Sequence, residues 1–230
     1  MIVSQLNILV SKELYIKDPT SSDLGKSILF KGLNLLFELG LEEFTFKKLG
    51  KEIGTTESTI YRYFESKNQF LFYLFNYYWS WMEYQLNLSV ANIEDGKIQL
   101  KNAIKLISKT NANDPATPFI DESILQQMLM VESSKTFFTK KVDEENKLGY
   151  FKQYKQFVKK MSDIVVEINP TYPYSHALVT TIIESLFHQR FFAQHLPSLS
   201  DDVSKDENLE DFFFQMAIQT ILNYNKNGKF

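Results

Sequence analysis

The feature that most constrains the fold is the stretch 44–71, which has the pattern of two very short helices joined by a single glycine. Thr45 is placed to cap the first helix, and Gly54 to end it, because glycine readily adopts the left-handed conformation that closes many helices. Thr56 is placed to cap the second helix, and Ser66 opens a third with the form of a capping box. The apolar residues at helical spacing are Phe46, Leu49, Ile53, Ile60 and Phe64. This order predicts a helix-turn-helix, whose second helix lies in the major groove of DNA.

The side chains of the second short helix suit DNA recognition. Its polar residues can reach base edges and phosphates, and they are Glu57, Ser58, Thr59, Tyr61, Arg62 and Tyr63. Lys47, Lys48 and Lys67 stand near helix beginnings, where ammonium groups and free backbone N–H groups can both meet phosphate. The alternative is an ordinary helical hairpin with a solvated polar face, and the helix-turn-helix pattern alone does not exclude it.

Residues 54–67 closely resemble the signature of the TetR (tetracycline-repressor-like) family of bacterial transcription regulators. They read Gly-Thr-Thr-Glu-Ser-Thr-Ile-Tyr-Arg-Tyr-Phe-Glu-Ser-Lys. The family pattern is glycine, an apolar residue, Ser or Thr, two variable positions, Thr, an aliphatic residue and Tyr, then a variable position, an aromatic residue or His, Phe, a variable position, Ser or Asn, and Lys. The stretch 35–40 and the pair Phe44 and Thr45 also resemble the family's first helix and the turn after it, so the resemblance spans roughly residues 22–75.

Four positions depart from the family pattern. Thr55 replaces the usual valine, and Gly50 and Ile53 replace the usual alanines. The fourth is the acidic Glu57, which repels phosphate but can accept a hydrogen bond from the amino group of cytosine. Glu57 therefore bears on the DNA sequence that is bound more than on the family.

Carried over position by position, the resemblance implies a DNA-binding site near the N-terminus. The residues that would position the protein on phosphates are Thr45, Lys47, Thr56, Tyr61 and Lys67. Those that would face base edges are Glu57, Ser58, Thr59 and Tyr63, and Arg62 suits either role. The expected partner is a double-stranded, near-palindromic operator bound by a homodimer, with the recognition helices about 34 Å apart or a little more.

The composition limits the kind of DNA contact that is possible. A formal net charge of −3 excludes a strongly basic protein that coats nucleic acid without specificity. Residues 45–67 hold five Lys or Arg against three Glu, so the positive patch is local and modest. We therefore expect affinity to depend on dimerisation and shape as well as on charge. The 20 Phe and 12 Tyr suit a core, an interface or an apolar ligand pocket.

Cysteine usage and hydropathy bear on the compartment. The chain has no cysteine, which excludes disulfides and thiolate metal sites. The N-terminus does not have the pattern of a secretory signal. No uninterrupted apolar run reaches the roughly 18 residues that a membrane span needs, and 70–82 is the nearest. These features predict a soluble, cytoplasmic protein without a membrane partner.

The expected fold is all-α with three parts. An N-terminal arm at 1–19 either packs on the body of its own or a partner subunit, or reaches the minor groove of DNA. The helix-turn-helix DNA-binding domain at 20–66 begins with a helix that Gly40 ends. A helical ligand-binding and dimerisation domain follows at 67–230. A long helix from Ser66 to about Asn92 links the last two parts, and its tilt would change the separation of the recognition helices.

The later helices are expected at intervals that turn residues mark. They run at about 97–109, from Thr117-Pro118 through Val131, over 135–168 with a break near Gly149, at 174–195 and at 207–226. Small residues form a stripe on the first of the last two helices, and the second carries more apolar surface than one subunit needs to bury. In the resembled family this pair forms a four-helix bundle with its copy, so we expect a homodimer through the last two helices.

Candidate pocket residues are chosen for helical position and for aromatic or polarisable character: Tyr77, Trp81, Met128, Tyr154 and His188. Methionine suits a filled core gap as well as a pocket wall. Glu184, His188 and His195 fall near one helix face, a spacing that permits a metal ion. Isolated His and Glu on such a face are more often surface or interface groups, so no metal and no cofactor are predicted.

The chain carries no nucleophile motif, glycine-rich phosphate loop or distinctive pair of carboxylates, so an enzyme is not expected. The resemblance implies a ligand-responsive transcription regulator, most often a repressor, that a small apolar or aromatic effector releases from DNA. The rival is a helical small-molecule carrier or interaction protein that has kept the fold without binding DNA. The sequence leaves the effector, the operator and the choice between repression and activation open.

Overall fold

The computed structural model describes Leu6, residues 8–201 and residues 206–224, and every regular element in that part of the chain is helical. The α-helices are α1 Asp23–Glu43, α2 Phe46–Ile53, α3 Glu57–Ile60, α4 Lys67–Val90, α5 Gly96–Ser108, α6 Glu122–Glu132, α7 Ser134–Phe137, α8 Val142–Lys147, α9 Lys152–Ile168, α10 Ser175–His195 and α11 Asp206–Leu222. The expected all-α fold is confirmed. None of these described helices combines the length and the apolar character needed to cross a membrane.

The chain forms two compact units. The first comprises Met1–Trp81 and Asn111–Tyr154, and the second comprises Met82–Thr110 and Lys155–Phe230. Helix α4 contributes residues to both units. The three-part division at residues 20 and 67 was drawn from sequence patterns, and it stays a prediction.

Helix α1 of the first unit has well-defined ends. Ser22 caps its start, because the hydroxyl accepts a hydrogen bond from the Gly25 amide at 3.1 Å. Gly40, at φ 71° and ψ 163°, interrupts the helix near the position expected from the sequence, although one further turn extends to Glu43. The last carbonyls are satisfied by lysines: Lys48 donates to Glu43, and Lys67 donates to Leu41 and Glu42, at 2.7, 2.7 and 3.0 Å.

Phe70, in the first turn of α4, is the packing centre of the N-terminal helices. Its side chain is completely buried. The ring stacks on Phe44 at a centroid distance of 5.6 Å and meets Phe64 edge-on at 5.1 Å. A Cβ on Gly32 of α1 would lie 2.6 Å from the Phe70 ring, so only glycine allows α1 to approach this closely. Phe70 therefore joins α1, α4 and the segments around α2 and α3.

The rest of the first unit is packed around aromatic rings of α4. Phe75 meets Phe137, Tyr154 and Phe151 at centroid distances of 5.5, 5.7 and 6.3 Å. The neighbouring Asn76 is fully buried and donates to the Tyr150 carbonyl at 2.6 Å. These contacts hold the turn between α8 and α9, where a positive φ of 84° at Gly149 confirms the expected break in the chain.

The helix expected to begin at Thr117-Pro118 was predicted wrongly, because α6 begins at Glu122. Asp121 is the cap, and its carboxylate accepts from the amides of Ser123 and Ile124 at 2.9 and 3.3 Å. Thr117 lies in a turn instead, and its amide donates to the Asp114 carbonyl at 3.0 Å. The helical stretch expected over 135–168 with a break near Gly149 has a second break, between α7 and α8, that the sequence did not indicate.

A buried carboxylate organises the loop before α6. Glu122 is fully buried, and its two oxygens accept from the Thr117 hydroxyl at 2.5 Å and the Asp114 amide at 2.9 Å. Burial raises the pKa of this carboxyl above its ordinary value, although both hydrogen bonds act in the opposite direction. The Asp114 side chain accepts in turn from the Trp81 indole at 3.2 Å, so the loop is tied to α4 as well.

The second unit contains the helices expected to form the dimer interface. Helix α5 packs on α11, and the start of α11 is held by an ion pair between Arg190 of α10 and Asp206 at 2.8 Å. The side-chain amide of Asn169 donates a hydrogen bond to the Ile221 carbonyl at 2.8 Å. Helices α10 and α11 agree closely with the predicted ranges 174–195 and 207–226, and residues 225 and 226 lie outside the described residues.

We predict that Gly40→Ala destabilises the protein more than Gly54→Ala. The backbone at Gly40 lies in a region almost confined to glycine, where another residue costs about 1–3 kcal/mol, and its new Cβ would lie 3.3 Å from a Glu132 carboxylate oxygen. Gly54 is left-handed at φ 72° and ψ 32°, which costs other residues roughly 1–2 kcal/mol, and its Cβ meets nothing within 4 Å. Urea denaturation measures both, and a larger loss for Gly54→Ala would contradict this order.

We predict that Glu122→Gln becomes more stable relative to the wild type as the pH rises above about 4.5, the ordinary value for glutamate. Because the pKa of Glu122 is raised in the folded protein, the folded state holds the proton more tightly than the unfolded state. Its contribution to stability is therefore present at low pH and is lost as the pH rises through the raised pKa. Glutamine titrates nowhere in this range.

The measurement is the free energy of unfolding of both proteins at several pH values between about 4 and 8. Glu122→Leu is the control, since it leaves the Asp114 amide without an acceptor and should cost about 1–3 kcal/mol. If the difference in unfolding free energy between Glu122→Gln and the wild type does not change with pH, burial does not raise the pKa of Glu122.

Candidate nucleic-acid interface

Helix capping and two glycines fix the conformation of α2 and of the turn between α2 and α3. The Thr45 hydroxyl caps α2 by accepting from the Lys48 amide at 3.2 Å, as expected from the sequence. Gly54 ends α2 in the left-handed conformation. A Cβ on Gly50 would lie 2.9 Å from the Thr55 carbonyl oxygen, so the departure from alanine at this position lets the chain turn tightly.

Most of the predicted DNA-binding residues lie on the surface. Thr45, Lys47, Thr56, Ser58, Tyr61 and Arg62 are exposed, and Glu57, Thr59 and Lys67 are half-buried. Within the described part of the chain, no hydrogen bond or ion pair holds the side chains of Lys47 or Arg62. Both cations are therefore available to an external anion.

Helix α3 is a single turn with an ordered group of hydroxyls at its start. The Thr56 hydroxyl lies 2.9 Å from the hydroxyls of both Ser58 and Thr59, and it makes no capping bond to the helix backbone. Tyr61 packs its ring edge-on against Phe46 at 5.1 Å while remaining 46 % exposed. The helix thus presents three hydroxyls from Ser and Thr and one from Tyr on its polar side.

The prediction that Tyr63 faces base edges is not supported by its position, because its side chain is 3 % exposed. Its hydroxyl lies 2.9 Å from the Ser22 hydroxyl at the start of α1. The Lys17 ammonium lies 5.2 Å from the ring centroid, within the range of a cation–π contact. Tyr63 comes two residues after Tyr61, and on one helical turn that step moves a side chain from the outer face to the inner one.

Lys67 has a structural role that the sequence did not reveal. Its ammonium group donates two hydrogen bonds, to the carbonyls of Leu41 and Glu42. An ammonium group has three N–H donors, so one donor remains for a phosphate. The predicted phosphate contact of Lys67 therefore stays a prediction.

Four of the five predicted pocket residues are buried in the first unit: Tyr77, Trp81, Met128 and Tyr154. The Tyr77 hydroxyl is buried, and burial raises the pKa of this phenol above its ordinary value, although the nearby Thr117 side chain acts in the opposite direction. His188 belongs to the second unit and is exposed on α10, where its ring lies 6.0 Å from Phe192. A cleft of about 520 Å³ in the second unit contains none of the five.

Among the described residues, no group of three His, Asp or Glu is arranged to hold a metal ion. The recognition segment is defined as residues 57–64, that is, α3 and the turn after it. Two polar groups that support it were not predicted from the sequence. Ser22 contacts Tyr63, and Gln69 accepts from the Glu65 amide at 2.7 Å. The capping-box pattern around Ser66 was the signal for Gln69, whereas nothing local marks Ser22 as a partner of Tyr63.

The family model for bacterial regulatory proteins of the tetR family matches residues 28–74. That range contains most of α1, all of α2 and α3, and the first part of α4. Comparison with curated protein sequences gave no match.

Three solved structures share the fold of the chain. A transcriptional regulator from Rhodococcus sp. Rha1 has 14% identity and a TM-score of 0.61, with 88% of this chain and 97% of that chain covered. AibR in complex with isovaleryl coenzyme A and operator DNA has 14% identity and a TM-score of 0.58, with 83% and 96% covered. The ketosteroid transcriptional regulator KstR2 of Mycobacterium tuberculosis has 12% identity and a TM-score of 0.52, with 97% and 99% covered.

The TM-scores establish a shared fold, and the family match falls on the helices that build the helix-turn-helix. Residues 28–74 of the chain are therefore similar to the bacterial regulatory proteins of the tetR family.

Proposed function

We propose that this protein is a ligand-responsive, DNA-binding transcription regulator that acts in the cytoplasm as a homodimer. The observation that carries the proposal is the exposed polar surface of α2 and α3, where Lys47, Arg62 and the hydroxyl groups face outward from a rigid support. Phosphate contacts from such groups position a protein on DNA, and contacts to base edges give specificity. The residues proposed for these contacts are Thr45, Lys47, Thr56, Glu57, Ser58, Thr59, Tyr61, Arg62 and Lys67.

The local charge distribution favours specific DNA binding over non-specific binding to any polyanion. Lys48 is paired with Glu43 at 3.2 Å, and Lys31 is paired with Glu52 at 3.5 Å, so part of the local positive charge is neutralised. The remaining cations are few and lie beside the recognition helix. Such a surface binds phosphate weakly on its own and gains affinity when two copies act together.

The proposed dimer forms through α10 and α11. Phe212 of α11 is 57% exposed, and it lies with Met216 and Gln219 along one face of the helix. On α10 the small residues Ala177 and Thr181 are exposed, and they would permit close approach of a second helix. His188 is exposed on the same helix, so we assign it to this interface and not to the pocket. Two-fold pairing would present the recognition helices to successive major grooves about 34 Å apart.

The proposed effector is a small apolar or aromatic molecule bound in the body. The relatives AibR and KstR2 are described with isovaleryl coenzyme A and as a ketosteroid regulator, respectively. In this chain the candidate pocket residues are Tyr77, Trp81, Met128 and Tyr154, which are buried. The buried Tyr77 hydroxyl would hydrogen-bond to an oxygen of the effector.

The proposed domains are those expected from the sequence: an arm at 1–19, a DNA-binding domain at 20–66 and a ligand-binding and dimerisation domain at 67–230. Helix α4 begins at the packing centre of the DNA-binding helices and continues into the body. A shift of α4 on effector binding would change the separation of the two recognition helices and release the operator. Repression relieved by the effector is the proposed output.

Selection from a random pool of double-stranded DNA tests the function directly. Enrichment of a near-palindromic sequence by the full-length protein is the expected result. A failure to enrich any sequence at low salt would support the rival, a helical carrier that has kept the fold without binding DNA.

We predict that Lys47→Gln combined with Tyr61→Phe weakens binding to all DNA sequences, because each residue is proposed to contact phosphate. Removal of the lysine contact should reduce the slope of log K against log salt by about 1. Fluorescence-anisotropy titrations at several salt concentrations measure this slope. The control is Lys140→Gln, which removes the same charge at an exposed position far along the chain, and an equal effect in the control would refute the assignment.

We predict that Phe212→Asp converts the dimer to monomer, because two aspartates would be buried at the proposed two-fold interface. Light scattering after size-exclusion chromatography measures the mass, and operator affinity should fall with it. Phe138→Asp is the control, since Phe138 is 89% exposed and lies outside the proposed interface. A dimer that persists in Phe212→Asp would place the interface elsewhere.

A further inference from the structure

We propose that the N-terminal arm, defined as Leu6 and residues 8–18, is a strap that positions the recognition segment and couples it to the loop before α6. The inference rests on the proposed function, because it assigns a means of regulating the same DNA-binding surface. The strap is held at three places along the first unit, and each contact involves a different part of that unit.

The first attachment is at the recognition segment. The Ile16 amide donates to the Tyr63 carbonyl at 2.8 Å, immediately after the turn that follows α3. The Tyr63 side chain is held from the same direction, since the Lys17 ammonium lies over its ring. The backbone and the side chain of Tyr63 are therefore both in contact with the arm. Movement of the arm at this point must displace the end of the recognition segment or break these contacts.

The second attachment is along α4. The Gln69 side chain donates to the Glu13 carbonyl at 3.2 Å, and its oxygen accepts from the Glu65 amide in the turn before α4. Further along the helix, the Ser80 hydroxyl donates to the Leu9 carbonyl at 3.0 Å. Leu14 is fully buried, so the arm is anchored by packing as well as by hydrogen bonds. One amide side chain thus joins the arm to the turn that connects the recognition segment with α4.

The third attachment is at the loop that Glu122 organises. The Leu6 amide donates to the Ala116 carbonyl at 2.9 Å. Ala116 itself donates to the Asp114 carboxylate at 2.9 Å, and Thr117 is bonded to the buried Glu122. The loop has no regular secondary structure between α5 and α6, so its position depends on these few polar contacts. A change at the loop would reach the arm through Ala116.

The three attachments allow the arm to transmit a displacement from one of them to another. The backbone at Tyr15 is extended, with φ −155° and ψ 153°, so there is little slack next to Ile16. The middle of the arm, Lys12–Leu14, is a 3-10 helical turn with Leu14 fully buried, and hydrogen bonds fix the chain on both sides of it. A segment held in this way transmits a displacement better than a flexible one, because it has few other conformations to adopt. The loop, α4 and the recognition segment therefore share one physical connection that does not pass through α1.

The test removes one hydrogen bond at the recognition end. Ile16→Pro deletes the amide that donates to Tyr63, and the extended backbone of Tyr15 is compatible with a following proline. The Ile16 side chain is 57% exposed, so little packing is lost. The matched control is Ser11→Pro, where φ is already −57°, so that proline fits the backbone and only the exposed hydrogen bond from the Ser11 hydroxyl to Glu13 is lost.

The expected result is a weakening of operator binding by about three- to tenfold in Ile16→Pro, the fold-change that corresponds to one hydrogen bond. The dimer mass should not change, and Ser11→Pro should bind as the wild type does. Equal operator affinity of Ile16→Pro and the wild type would overturn the positioning role.

A second experiment tests the coupling and does not depend on DNA. Thr117→Val removes the hydroxyl that holds the loop to Glu122, and hydrogen exchange is followed in the peptide that covers residues 57–64. Faster exchange in Thr117→Val than in the wild type is expected, with no further increase when Thr117→Val is added to Ile16→Pro. Ser80→Ala, which releases Leu9 on the surface, replaces Thr117→Val if that variant does not fold.

Independent, additive effects of the two substitutions on exchange would overturn the coupling, as would no effect of the loop variant on residues 57–64. If the wild type selects no DNA sequence, the proposed regulator function fails, and the exchange experiment still decides whether the strap connects the loop to this segment. The two failures are thus distinguishable.

Discussion

The contact on which the N-terminal helices depend is the insertion of the Phe70 ring against Gly32. Short helices such as α2 and α3 have little stability of their own, since forming the first turn of a helix is unfavourable and few hydrogen bonds follow it. Their conformation must come from tertiary packing. Phe70 provides it from the first turn of α4 by contacting Phe44 and Phe64 while closing on a helix that only a glycine allows so near. A methyl group at position 32 would push Phe70 away from α1 and loosen the whole recognition segment.

The basic residues near the recognition helix have two different roles, which a count of charges in the sequence does not distinguish. Lys48 and Lys67 satisfy the last carbonyls of α1, and that use fixes the end of the helix at the turn where it meets α2. Lys47 and Arg62 remain exposed and are the cations available to DNA. The modest positive excess of the segment therefore overstates the charge that is free to bind phosphate. The proposed DNA affinity would then depend on hydroxyl and backbone donors, on shape and on a second copy of the protein.

The sequence predicted features that depend on neighbouring residues and missed those that depend on distant ones. The caps at Thr45 and Ser66, the left-handed Gly54 and the breaks at Gly40 and Gly149 follow from local backbone preferences, and all were located correctly. The cap expected at Thr56 was predicted wrongly, because its hydroxyl contacts the hydroxyls of Ser58 and Thr59 instead of the helix backbone. Asp121 displaced Thr117 as the start of α6 because the Thr117 hydroxyl is used by a buried carboxylate, a contact with no local signature. Tyr63 was placed on the DNA face because the signature gave its position but not the inward direction of its side chain. The pocket residues were chosen by residue type, which identifies buried aromatic side chains without showing where space is left for a ligand.

A recognition helix of one turn has a consequence for how the protein can be regulated. A long recognition helix keeps its shape when its surroundings move, because its own hydrogen bonds define it. Here α3 is a single turn, with backbone bonds from Thr59 to Thr56 and from Tyr61 to Glu57, and its hydroxyls are ordered by Thr56 in the turn before it. Its geometry is therefore set by the groups at its two ends, namely the Gly50 to Thr55 contact on one side and Tyr63 on the other. Because Tyr63 is held by Ser22, Lys17 and Ile16, small displacements of α1 or of the arm change the presentation of α3 directly. If α3 binds DNA as proposed, a small displacement at Tyr63 would change its contacts without a rearrangement of the helix itself.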